Sequence, residues 1–282
     1  MGVCEHDRMS EQAADLELVL RLGDLADEIT LGSWRSSVLA TRSKSDGSPV
    51  TAVDVEVERR LRDCVLGMHP NDGFVSEELG VTVGTSGRCW YVDGIDGTRA
   101  YADGRTEWST LIALTDPGGL RQGLCTGPAL GKRWYVETNG QAVKTGSGGQ
   151  TRRVEVAAAS QGPAVRVACW PPADRIGGDL SDHGRSRLEE LTAGRSTRPS
   201  WGARVPNAAM LVAEGALDGF VLVGGGPWDH AATAAIVVAA GGSWSALSGR
   251  RDLHASVIVL TNGSIHDWLL GQLEPEDDEN RR

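Results

Sequence analysis

Trp90-Tyr91-Val92-Asp93-Gly94-Ile95-Asp96-Gly97-Thr98 begins as an apolar run of strand type and ends in two aspartates, two glycines and a threonine. Asp93 and Asp96 stand three apart around a glycine, which lets both carboxylates converge on one point beyond the strand end. Carboxylates that close repel one another and are tolerated chiefly when cations lie between them. Gly97 and Thr98 then read as a helix start, where free N–H groups favour an anion. Metal-binding carboxylates beside a phosphate cradle are the parts of a phosphoryl-transfer site. An Asp-rich turn after a buried strand has the same local pattern, so the rest of the chain has to decide.

Upstream, Leu18, Leu22, Leu25 and Ile29 recur at helical spacing and predict an amphipathic helix from about Met9 to Leu31. The polar run Thr41–Pro49 reads as a surface loop. Val57, Leu61, Val65 and Met68 form a second helical stripe, with Asp54 at that helix's start, where it is either an N-cap or a site residue. His69-Pro70-Asn71-Asp72-Gly73 ends the helix, and Phe74-Val75-Ser76 is a short strand running into Glu77 and Glu78. One of those two carboxylates can reach the same cations as Asp93 and Asp96; a solvated turn is the alternative.

Downstream, Ser109–Thr115, Gly123–Leu130 and Arg133–Glu137 are strand-like runs separated by turns, which suggests antiparallel neighbours. The Gly/Ser-rich segment Thr145–Gln150 is the candidate boundary between an N-terminal half, 1–150, and a C-terminal half, 151–273. The second half mixes strands (Val154–Ala158, Val165–Cys169, Gly219–Val223, Ser256–Leu260) with helices (about Arg185–Leu191, Pro206–Glu214, His230–Ala239, Ile265–Leu273). That alternation suggests an α/β layer. Residues 274–282 are charged and read as a disordered tail. Within Gly226-Pro227-Trp228-Asp229, Asp229 begins a helix as an N-cap, or else Trp228 fixes it so that it points into a cleft.

The 38 acidic residues against 28 basic ones leave a net charge of −10, which argues against non-specific binding to nucleic acid or to a membrane surface. Cations held by clustered carboxylates would reverse that sign locally for an anionic substrate. Cys4, Cys64, Cys89, Cys125 and Cys169 show no short spacing of a zinc site or redox pair, and read as reduced thiols of a cytoplasmic protein. No secretory signal and no membrane-spanning apolar run is visible.

Three separated pieces, Ser76-Glu77-Glu78, Asp93-Gly94-Ile95-Asp96-Gly97-Thr98, and Trp228-Asp229 before a helix closing on Ala240-Gly241-Gly242, resemble the inositol monophosphatase family of magnesium-dependent sugar-phosphate phosphatases. The likeness runs from about Ser43 to Gly242. Asp46–Thr51, Gly97–Tyr101 and Trp108–Leu114 look most like its histidinol-phosphate phosphatase branch. The resemblance implies an αβαβα layered α/β fold, with a mostly antiparallel N-terminal sheet and a mixed C-terminal one, and a homodimer. It implies two or three magnesium ions. Glu77, Asp93 and the Ile95 carbonyl would hold the first, and Asp93, Asp96 and Asp229 the second. Asp54, with Glu77, would serve a weaker third position or orient water through Thr98, while the N–H groups of Gly97 and Thr98 would hold phosphate.

Two departures from the family's pattern bear on that expectation. Gly94 stands where the family usually has proline, which predicts a looser metal loop. Leu222, seven residues before Asp229, stands where inositol phosphatases place a hydroxyl-binding glutamate, and the segment around Arg204-Val205-Pro206-Asn207 lacks the pattern of the characterised branches. Arg204 and Leu222 are therefore candidate contacts to the alcohol part of a small phosphate ester. The expected function is a magnesium-dependent phosphomonoesterase acting on histidinol phosphate or on a cyclitol or sugar phosphate. A nucleotide phosphatase and a non-catalytic binder of a phosphorylated ligand are the alternatives.

Overall fold

A computed structural model describes residues 5–34, 41–43, 49–158, 165–192 and 205–274. Helix α1 (Glu5–Ser33) is longer at both ends than its leucine stripe predicts. The polar run expected as a loop is partly a hairpin, in which β1 (Thr41–Ser43) pairs antiparallel with β2 (Pro49–Thr51). Helix α2 (Ala52–Met68) follows directly.

The first large sheet is built from β3 (Gly73–Ser76), β4 (Gly80–Thr82), β5 (Cys89–Asp96), β6 (Ser109–Asp116), β7 (Gly119–Gly127), β8 (Lys132–Val136), β9 (Ala142–Thr145) and β10 (Thr151–Arg153). A short helix, α3 (Thr98–Ala102), interrupts it after β5. The strand order is β10-β9-β8-β7-β6-β5-β3-β4, antiparallel throughout except for β3 beside β5. The segment Thr145–Gln150 is the turn of the β9–β10 hairpin, so the passage to the second sheet falls between Arg153 and Val167.

The second sheet has the order β11-β12-β14-β13, formed by β11 (Val167–Trp170), β12 (Gly219–Val223), β13 (Ser243–Ala246) and β14 (Val257–Thr261). It is mixed, with β11 and β12 parallel and the other pairs antiparallel. Its helices are α4 (Asp182–Thr192), α5 (Ala209–Ala213), α6 (Pro227–Ala239) and α7 (His266–Leu273). The expected strand Val154–Ala158 is not one. Its backbone instead crosses between layers, Val154 N–H donating to Ala142 O and Val156 N–H to Ala240 O.

Apart from the exposed edge strands β4 and β10, both sheets are apolar on both faces, so their strands alternate between two cores rather than between core and water. Trp90, Ile112 and Leu124 face α1 and α2, while Tyr91, Leu111 and Cys125 face α5 and α6. In the second sheet Phe220 and Ile258 face α5 and α6, while Val221 and Val259 face α4 and α7. The result is the expected αβαβα sandwich, with one middle core shared by the two sheets. Among the described residues no helix is long and apolar enough to cross a membrane, and Cys64, Cys89, Cys125 and Cys169 are free thiols.

Candidate metal centre

The opening stretch does not leave its strand where the sequence suggests. Strand β5 continues through Asp96, and the register against β6 slips between Asp93 and Asp96. Asp93 lies opposite Leu111 and Asp96 opposite Ser109, so three steps on β5 match two on β6. In a regular strand, residues three apart point to opposite faces. The bulge inserts one extra residue and returns Asp96 to the face that carries Asp93. That is the face of Tyr91 and Leu111, toward the middle helices.

Asp229 is supplied by that middle layer itself. It is the third residue of α6, not the N-cap, since Gly226 and Pro227 occupy the capping and first positions. Its Oδ2 accepts the Gly226 N–H at 2.6 Å, which helps to orient the carboxylate. Asp93, Asp96 and Asp229 offer oxygens that lie within 4.8 Å of one another.

Each acid is oriented by a neighbour. The Ile95 N–H donates to Asp93 Oδ1 at 2.9 Å. Ser109 Oγ and Asn207 Nδ2 both donate to Asp96 Oδ2 at 2.8 Å. Burial and the negative charges of Glu77, Asp96, Asp229 and Glu58 push the Asp93 carboxyl well above the usual range. Asp96 is raised chiefly by burial and further by Glu77, against the hydrogen bonds from Asn207 and Ser109. Glu77 is half-buried just beyond β3, close enough for its charge to act on both. Such a cluster is costly without a compensating cation, and its donors are hard oxygens suited to magnesium or calcium.

The remaining candidates are placed as follows. Asp54 is buried at the third position of α2. Thr98 Oγ1 lies 3.0 Å from Ile95 O and 3.3 Å from Asp54 Oδ1, with both oxygens as acceptors. Gly97 adopts φ +86°, and a Cβ there would sit 2.6 Å from Glu107 O, so glycine is required. Leu222 is half-buried on β12 against the middle core, with Trp170 and Ile258 as ladder partners. Arg204 lies outside the described residues.

Three neighbours went unassigned in the sequence: Ser109, Asn207 and Glu58. Glu58 is fully buried, and its Oε2 accepts the N–H groups of Glu78 at 2.9 Å and Leu79 at 3.1 Å. Burial pushes its carboxyl up to about 7, against the hydrogen bonds from the Glu78 and Leu79 N–H groups. Its spacing of four from Asp54 on one helix was the available signal. Gly94 is not loose either. Its carbonyl accepts the Thr110 hydroxyl at 2.8 Å, and a Cβ there would lie 3.0 Å from Asp54 O and 3.1 Å from Glu58 Cγ. Close packing against α2 replaces the stiffness a proline would give.

Comparison with known proteins gives a consistent outcome. The family model described as "Inositol monophosphatase family" matches residues 11–277. The "Histidinol-phosphatase" of Streptomyces coelicolor is 33% identical over 274 residues, covering 94% of this chain and 98% of that one. The "Histidinol-phosphatase" of Mycobacterium tuberculosis is 33% identical over 262 residues, covering 92% and 97%. Among solved structures, the extragenic suppressor protein suhB from Bartonella henselae superposes with a TM-score of 0.74 at 22% identity, covering 94% of this chain and all of that one (100%).

Proposed function

Because the chain belongs to the inositol monophosphatase family, and is a phosphoric monoester hydrolase of that kind, we propose that it hydrolyses histidinol phosphate at a magnesium centre built on Asp93, Asp96 and Asp229. The observation that carries the centre is the convergence of those three carboxylates from the first sheet and from the middle helix α6. Glu77, Asp93 and the Ile95 carbonyl would hold one ion, and Asp93, Asp96 and Asp229 another. Asp54 with Glu77 would serve a weaker third position or orient water through Thr98. Few protein oxygens suffice, because magnesium keeps several waters.

Bound there, magnesium supplies the positive charge that acidifies water and offsets the charge of the phosphoryl oxygens. The protein's own share is positioning. Thr98 has one hydroxyl proton and two acceptors in reach. While that proton goes to Ile95 O or Asp54 Oδ1, the hydroxyl oxygen is free to accept a hydrogen bond from an attacking water. Asp54, with Glu77 beside the cluster, would take up the proton that the water loses. The N–H groups of Gly97 and Thr98 would hold phosphate oxygens, close to a backbone that only glycine can adopt. Ser109 and Asn207 keep Asp96 turned toward the centre.

On the alcohol side the support for a flat ring is local. Leu222 offers no hydrogen bond, and its ladder partner Trp170 is 48% exposed. A polyol hydroxyl facing Leu222 would lack a partner, at a cost of about 1–3 kcal/mol in a dry site. An imidazole or a nucleobase would not incur it, so a nucleotide phosphatase is the second reading. Arg204 would add a hydrogen bond or stack on the ring. The family likeness also suggests a homodimer, and the free thiols suggest a cytoplasmic protein. The test compares kcat/KM for histidinol phosphate, a nucleoside monophosphate and inositol phosphate, then repeats it with Leu222→Glu. Histidinol phosphate should lead in the wild type, and the glutamate should favour inositol phosphate by about tenfold or more, the equivalent of about 1.4 kcal/mol. A wild-type preference for inositol phosphate, or no gain in the variant, would sink this reading of the subsite.

A further inference from the structure

Helix α2 carries two buried carboxylates one turn apart, Asp54 and Glu58. The first reaches Thr98. The second reaches the backbone on the opposite flank of the site, where its Oε2 takes the N–H groups of Glu78 and Leu79. Those two amides follow Glu77 immediately, in the turn between β3 and β4. A fully buried carboxylate is expensive to keep, and both hydrogen bonds that this one accepts come from that turn, at Oε2. We propose that Glu58 is a positioning residue, which fastens the Glu77 turn to α2 and so holds the Glu77 carboxylate at the metal centre. The inference rests on the magnesium reading above. It also accounts for Gly94, since a side chain there would press on Glu58 Cγ and on the Asp54 carbonyl.

Removing an outer partner of a metal ligand typically lowers metal affinity about 10–100-fold. The test is calorimetric titration of magnesium into the metal-free full chain, wild type against Glu58→Gln and Glu58→Ala. Amide hydrogen exchange at Glu78 and Leu79 and magnesium activation curves are read on the same preparations. Glutamine keeps an oxygen that can accept both N–H groups, and alanine keeps none. In the alanine variant both amides should exchange faster, and magnesium affinity should fall by about tenfold or more. Its kcat at saturating magnesium should stay within about threefold of wild type, the change falling on the activation constant. The glutamine variant should stay within about threefold of wild type in affinity. If alanine does not fold, Glu58→Asp, one methylene short of both amides, takes its place with the same expectation. Unchanged magnesium affinity despite faster exchange overturns the proposal, as does a glutamine variant that binds as poorly as alanine. A wild type that binds no magnesium removes the metal reading itself, and is told apart by the wild-type titration alone.

Discussion

Asp93 is where charge, burial and geometry conflict most. It is 2% exposed, its carboxyl is pushed well up by burial and by four neighbouring acids, and one of its oxygens is already committed to the Ile95 N–H. Asparagine at this position keeps an oxygen for that N–H and removes one charge from the cluster. Asp93→Asn should therefore melt at the same temperature as wild type or higher in chelator, because repulsion is relieved. The stabilisation that magnesium gives wild type should be lost with the metal site. Activity should fall on the order of a thousandfold, about 4 kcal/mol of charge stabilisation. Phosphatase activity within tenfold of wild type, with a native circular dichroism spectrum, would refute the assignment. Asp93, Asp96 and Asp229 could be picked out in the sequence because each sits in a short, distinctive pattern. Glu58 offered only its spacing of four from Asp54, because its role depends on a turn that only the folded sheet brings over α2.

At the level of elements, the bulge in β5 and the packing of α2 on Gly94 set the shape of the site. The sequence suggested that the strand ends before Asp96, since Gly94-Ile95-Asp96-Gly97 has the composition of a turn. Pairing with β6 overrides that local preference and uses the extra residue to bring two acids to one face. The polar hairpin of β1 and β2 was missed for the opposite reason, because three-residue strands carry too little alternation to be seen. Val154 and Val156 alternate like a strand, but their N–H groups bridge separate layers. Gly94→Ala tests the α2 contact. The new methyl meets the Asp54 carbonyl at 3.0 Å, so α2 must shift, and overpacking of this kind costs about 1–3 kcal/mol. Because Asp54 and Glu58 ride on that helix, the magnesium concentration for half-maximal activity should rise as the thermal midpoint falls. An alanine variant with wild-type midpoint and wild-type magnesium dependence would show that the glycine has no such role.

Across the whole molecule the layer order was legible only through the family resemblance, and the inner strands of both sheets, apolar on successive residues, take cover on both faces. The middle core joins the sheets, and the acidic centre is supplied by β5 of the first sheet and by the middle helix α6. Those elements are far apart along the chain, so the centre exists only once α6 has docked against the first sheet. Magnesium then has little to grip in the unfolded ensemble, and little in any transition state that precedes docking. At about a hundred times its dissociation constant it should add about 2.7 kcal/mol of stability, expressed almost wholly as slower escape from the native state. In urea-jump kinetics the unfolding rate should drop about a hundredfold with magnesium while refolding changes by less than about twofold. Comparable acceleration of refolding would mean that the acidic centre assembles early. With the asymmetry found, the ion acts as a latch on lifetime, and the protein's persistence would follow the free magnesium around it.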